Sequence, residues 1–111
     1  MVNIESKSED NCLVIEVAGE IDASSSIELD NALKEASDNY TKIIVDLTGL
    51  EYISSAGLGV FISYLEDMKK ENIKLVIYGL KENVQEVFEI LGLQHIMTIA
   101  QTKDEAVRLV E

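Results

Sequence analysis

Two hydrophobic periods alternate along this chain, and the alternation limits its fold more than any other feature. Short β-branched runs recur. Cys12 to Ala18 reads C-L-V-I-E-V-A, Lys42 to Leu47 holds Ile43, Ile44 and Val45 in succession, and Ile73 to Tyr78 is a third. Between them the apolar residues fall at helical spacing. Leu29, Ala32, Leu33 and Ala36 make one stripe within Ser24 to Asn39, where Ser25 and Glu28 have the spacing of a capping box. Leu58, Phe61, Ile62, Leu65 and Met68 make another within Gly57 to Glu71. Val84, Val87, Phe88 and Leu91 make a third within Glu82 to Leu91, with Gly92 as its stop. Val2 to Ser6 predicts a leading strand before a turn at Asn11, and Gly19 ends the second strand. Met97 to Ala100 predicts a short edge strand. Thr102 and Glu105 form a second capping box before Ala106, Leu109 and Val110.

The resulting order is strand, strand, helix, strand, helix, strand, helix, strand, helix. It predicts an α/β fold with a mixed, largely parallel sheet of four to five strands and about four amphipathic helices. The continuous apolar runs predict strands covered on both faces. With 111 residues and no linker or repeat, one domain over 1–111 is expected.

Charge narrows the function. Nine basic against 21 acidic residues give a net charge of −12, which disfavours nucleic acid and anionic membrane surfaces. The start, MVNIESKSED, lacks the basic and apolar regions of a secretory signal, and no apolar run approaches a membrane span. One cysteine, Cys12, forms no internal disulfide. These features together predict a cytoplasmic protein.

Chemistry concentrates between Asp46 and Ser63, which reads D-L-T-G-L-E-Y-I-S-S-A-G-L-G-V-F-I-S. Its middle joins a buried strand to the clearest helix, where α/β proteins gather their ligands. Tyr52 and Ile53 form an apolar anchor ahead of Ser54, Ser55, Ala56 and Gly57, all small. Helix capping alone explains a serine at such a place. An anion site is the functional alternative, because a helix N-terminus presents free N–H groups. No P-loop, complete dinucleotide fingerprint or nucleophile elbow is present.

The string Tyr52-Ile53-Ser54-Ser55-Ala56-Gly57-Leu58-Gly59-Val60 after Asp46-Leu47 resembles the signature of the STAS domain, and of bacterial anti-sigma factor antagonists in particular. Gly19-Glu20-Ile21-Asp22 is similar to that family's G-E-[LI]-D element. Val87-Phe88-Glu89-Ile90-Leu91-Gly92-Leu93 is similar to its third helix and the turn after it. The resemblance implies a STAS-like domain without catalytic residues, metal or cofactor, acting as a phosphorylated partner switch. Its usual string, Asp-Ser-[ST]-Gly-[LM]-Gly, lays the acceptor on Ser55. Ser54 stands where an aspartate is common and is the second candidate. The implied partners are an anti-sigma factor that is also a serine kinase, which the unmodified chain binds to free the sigma factor, and a serine phosphatase. Free of them the chain is expected to be a monomer.

The expected partner surface is Asp22, Ser24, Ser54, Ala56, Gly57, Leu58, Gly59, Val60 and Tyr64. Leu58, Ile62 and Leu65 are expected to point inward. Val60 and Tyr64 lie on another face, suited either to docking or to packing on a neighbouring helix. Ser25 is expected to cap its helix. Two alternatives stay open: a STAS module of another regulatory or transport-accessory complex, and a small nucleotide- or metabolite-binding protein using the helix start at Ser54 to Gly57. His95 has no ligand partners at metal spacing, and Cys12 has no basic neighbour to activate it.

Overall fold

A two-residue turn sets the first strand pair. Asp10 and Asn11 both take positive φ, 49° and 66°, the twist that matches a tight hairpin. The turn joins β1 (Val2–Glu9) to β2 (Cys12–Ile21) antiparallel, with Glu9 opposite Cys12. The structure, a computed structural model, describes residues 2–111. From β2 to β4 each strand is followed by a helix and a parallel strand. The order is α1 (Ser26–Asn39), β3 (Lys42–Ile53), α2 (Ser55–Lys70), β4 (Lys74–Tyr78), α3 (Glu82–Ile90), a 3-10 turn (Leu93–His95), β5 (Thr98–Ala100) and α4 (Lys103–Val110). The strands lie in the order β1-β2-β3-β4-β5, so only the first pair is antiparallel.

Both faces are covered, which is why the central strands read as unbroken apolar runs. Ile43, Val45 and Leu47 face a large core with Leu29 and Leu33 of α1, Phe61 of α2 and Phe88 of α3. Ile44, Val76 and Tyr78 face the other way, onto Ala106 and Val110 of α4. Phe61 and Phe88 meet with their rings tilted by 59° and centroids 6.3 Å apart, and tie α2 to α3.

Several local expectations are corrected. β2 continues past Gly19 to Ile21, because Gly19 (φ 95°) sits at a register shift inside the ladder and does not end it. β3 continues to Ile53, because Tyr52 and Ile53 pair with Glu20 and Ile21. Ile53 is buried, but Tyr52 is half exposed and anchors nothing. On α2 only Leu58, Phe61 and Met68 are buried among the five stripe residues. Leu65 is half-buried, and Ile62 is 43% exposed. That flank faces an open groove beside the 3-10 turn, with no further helix against it. Val87, Leu91 and Leu109 are likewise on the outer margins of their stripes and exposed.

Candidate functional site

Two strands ending side by side build the site. β2 and β3 run parallel to their last residues, Ile21 opposite Ile53. The Ser54 N–H then donates to the Ile21 carbonyl at 2.8 Å. Asp22 to Ser25 and Ser54 to Gly57 are therefore neighbours at the C-terminal edge of the sheet, the edge where α/β folds place their ligands.

The two serines have different duties. Ser54 is the N-cap of α2, with extended backbone (φ −82°, ψ 170°), and its Oγ accepts from the Gly57 N–H at 3.3 Å. Ser55 is the first residue of the helix. It is exposed, and its hydroxyl has no hydrogen-bond partner among the described residues. With Ser54 N–H and Gly57 N–H used, the N–H groups of Ser55 and Ala56 are left at the helix end.

Gly57 holds the turn against the sheet. A Cβ there would lie 2.7 Å from Ile21 Cγ2 and 2.8 Å from Ile53 Cγ1, so only glycine permits this approach. Gly57 and Leu58 are both buried, so neither presents the contact surface expected of it: one packs on the strand ends and the other fills the core. Ala56 and Gly59 are exposed, and around Gly59 there is open space. Val60 is half-buried against the core. The Tyr64 hydroxyl donates to the Asp30 carbonyl on α1 at 3.2 Å, so Tyr64 serves the α1–α2 seam. Both therefore pack within the fold, Val60 against the core and Tyr64 on α1.

Asp22 organises the other segment. Its Oδ1 accepts from the Ser24 hydroxyl (2.8 Å), the Ser25 N–H (2.9 Å), the Ser25 hydroxyl (3.0 Å) and the Ser24 N–H (3.0 Å). These bonds, led by that of the Ser24 hydroxyl, hold the carboxyl down to about 2, so it is ionised at neutral pH. The Ser25–Glu28 capping box does not form. Ser25 has helical backbone (φ −90°, ψ −8°), and its buried hydroxyl turns back to accept from the Asp22 N–H at 2.9 Å. Asp22 with Ser24 and Ser25 two and three residues on was the available signal, because aspartate readily bonds the backbone two residues on. Thr102 does cap α4, accepting from the Glu105 N–H at 3.2 Å. The Glu105 carboxylate returns to the Gln101 N–H at 2.6 Å, one residue earlier than a standard box.

Neither segment carries a lysine or arginine. Lys81, which precedes α3, is paired with Glu51 of β3. Among the described residues no cluster of His, Cys, Asp or Glu has the arrangement of a metal site, and no helix is long and apolar enough to cross a membrane. Burial pushes the Cys12 thiol up, which makes it a poor nucleophile. His95 is exposed on the 3-10 turn.

A profile of the STAS domain matches residues 3–106. The chain belongs to the STAS domain family. Among STAS domains it stands with the anti-sigma factor antagonists. It is 34% identical over 106 residues to the anti-sigma-B factor antagonist of Listeria monocytogenes, across 94% of this chain and 93% of that one. An anti-sigma factor antagonist from Mycobacterium paratuberculosis has the same fold, with a TM-score of 0.90 at 22% identity over 99% of this chain and 94% of that one. So does the Bacillus cell fate determinant SpoIIAA in its phosphorylated form, with a TM-score of 0.74 at 20% identity over 98% and 100%. The STAS fold and family expected from the sequence are both met.

Proposed function

We propose that this STAS domain is a cytoplasmic anti-sigma factor antagonist controlled by phosphorylation of Ser55. The unmodified chain binds an anti-sigma factor that is also a serine kinase, and so frees the sigma factor. The kinase transfers the terminal phosphoryl group of ATP to Ser55 Oγ, and a serine phosphatase removes it. The chain is substrate and binding module, with no turnover of its own.

The observation that carries this reading is the division between the serines. Ser54 is committed to its cap, while Ser55 stands exposed with a free hydroxyl. The names of the relatives support the antagonist role, and the phosphorylated SpoIIAA supports modification within the fold family.

A phosphate on Ser55 adds about −1.5 to −2 charges. The N–H groups of Ser55 and Ala56 and the helix dipole stabilise it by about 0.3–1 kcal/mol. No cation in either segment neutralises it, and the Asp22 carboxylate is a neighbour. The fold is therefore retained while the surface becomes locally more negative. A mismatched charge inside an interface costs about 2–5 kcal/mol, roughly 30- to several-thousand-fold in affinity.

The test is incubation with the cognate kinase and ATP, followed by phosphosite mapping and partner capture. Ser55→Ala should take no label and keep the partner, Ser55→Asp should bind it weakly, and the modified chain should melt close to the unmodified one. Phosphate found only on Ser54 would overturn the assignment.

A further inference from the structure

The two edges of the sheet differ. β1 guards one edge over its whole length and exposes Glu5 and Lys7, charges that discourage strand pairing. The other edge is stepped. β5 covers β4 only from Val76 to Tyr78, so Lys74 and Leu75 run past its start with no strand beside them. The Lys74 N–H turns inward to the Thr41 carbonyl at 2.8 Å, and strand alternation therefore turns the Leu75 N–H toward the open side, while the Leu75 carbonyl faces the start of β5 at Thr98.

A groove of about 390 Å³ opens at this step, between α2 on one face and α4 on the other. Leu65 and Ile96 line the α2 side, and Leu109 lines the α4 side. Ile96 is 59% exposed and Leu109 45%. Leu75 faces the core under α2 while Val76 faces α4, so Lys74 lies on the α4 side. In a chain with 21 acidic and nine basic residues, the lining holds two lysines, Lys69 and Lys74, and no carboxylate side chain. Lys74 spends one bond on the Glu111 main-chain oxygen at 2.7 Å, and Lys69 has no ion pair among the described residues.

We propose that this step is a docking site for an extended segment of a partner protein in which apolar and acidic residues alternate. The segment adds to the sheet in line with β5 and takes a backbone bond from the Leu75 N–H. Its apolar side chains pack on Leu65 and Ile96. Its carboxylates meet Lys74 on the other face, with Lys69 at the rim. An alternating segment suits the site because a strand sends successive side chains to opposite faces. The step lies at the N-terminal end of β4, whereas Ser55 follows the C-terminal end of β3, parallel to it. The two surfaces are at opposite ends of the sheet, so one partner here leaves the Ser55 turn free. This proposal does not depend on phosphorylation.

The test uses two capped hexapeptides, one alternating valine with glutamate and one alternating valine with lysine, titrated into the 15N-labelled protein. Saturable shifts are expected at the amides of Leu75, Ile96 and Thr98 with the glutamate peptide. The lysine peptide should bind roughly tenfold more weakly, and Lys69→Glu with Lys74→Glu should reverse the preference. Ile96→Ser should weaken both, with amide positions outside the groove unchanged. Ser55→Asp should bind the glutamate peptide as the unmodified chain does. Equal response to the two peptides, or no saturable shift, overturns the proposal. So do groove shifts that grow with protein concentration alone, which would assign the groove to a second copy of the chain.

Discussion

Alanine at Gly57 and alanine at Gly59 are the same chemical change two residues apart on α2, and the structure gives them opposite signs. The added methyl at Gly57 falls 2.7 Å from Ile21 Cγ2 and 2.8 Å from Ile53 Cγ1. Those isoleucines are 0% and 4% exposed, at the ends of paired strands, so neither has space to swing aside. Overpacking of this kind costs about 1–3 kcal/mol. Alanine's better helix propensity offsets at most about 1 kcal/mol, leaving a net loss of up to about 2 kcal/mol. At Gly59 nothing lies within 4 Å of the new methyl, so the propensity gain stands alone at about 0.5–1 kcal/mol. The two variants should differ by about 2 kcal/mol, or about 8 °C in Tm for a chain this size. Urea denaturation with an unchanged m-value reads the difference directly. Gly57→Ala should also slow labelling of Ser55, because relief of the clash lifts the first turn of α2 from the strand ends. Gly59→Ala should leave the fold sound and report only on how closely a partner approaches. Equal midpoints for the two variants would refute the close-packing argument.

Ser54→Ala removes the acceptor for the Gly57 N–H and should cost about 1 kcal/mol, whereas Ser55→Ala should change stability by less than about 0.5 kcal/mol; chemical denaturation separates them. The Asp22 carboxyl is depressed from 3.8 to about 2, so its contribution to stability is complete above about pH 4 and is lost as pH falls through 2. Carbon-detected NMR should place its midpoint near 2, and Ser24→Ala should raise it. A midpoint near 3.8 in the unsubstituted chain would refute the hydrogen-bond account.

The order of strands and helices was legible because each element carries its own period. The covered faces of Ile43, Ile44 and Val45 were legible for the same reason. The Ser54–Ser55 turn was legible from its small residues and its place after a buried strand. What sequence spacing missed was set by neighbours distant along the chain. β3 reaches Ile53 only because β2 continues past a glycine bulge to Ile21. Ile62 fits the helical stripe but lacks a covering element beyond it. Ser25 had the spacing of a cap, yet a buried hydroxyl takes the strongest bonds in reach, and Asp22 offered them. Gly57 and Leu58 belong to the signature string, but their burial depends on where Ile21 ends. Spacing along one segment contains none of this information.

The hydrogen bond from Ser54 N–H to the Ile21 carbonyl has a kinetic consequence. It fastens the two loops into a single body before any partner arrives. A protein that grips both has little chain to order on contact, so it loses little conformational entropy there. Encounter rates between related surfaces vary over a narrow range, and differences in affinity are expressed mainly in how fast complexes fall apart. A charge added to such a stiff surface cannot be accommodated by a loop moving aside. On the proposed function, phosphorylation of Ser55 would act on the residence time of the complex.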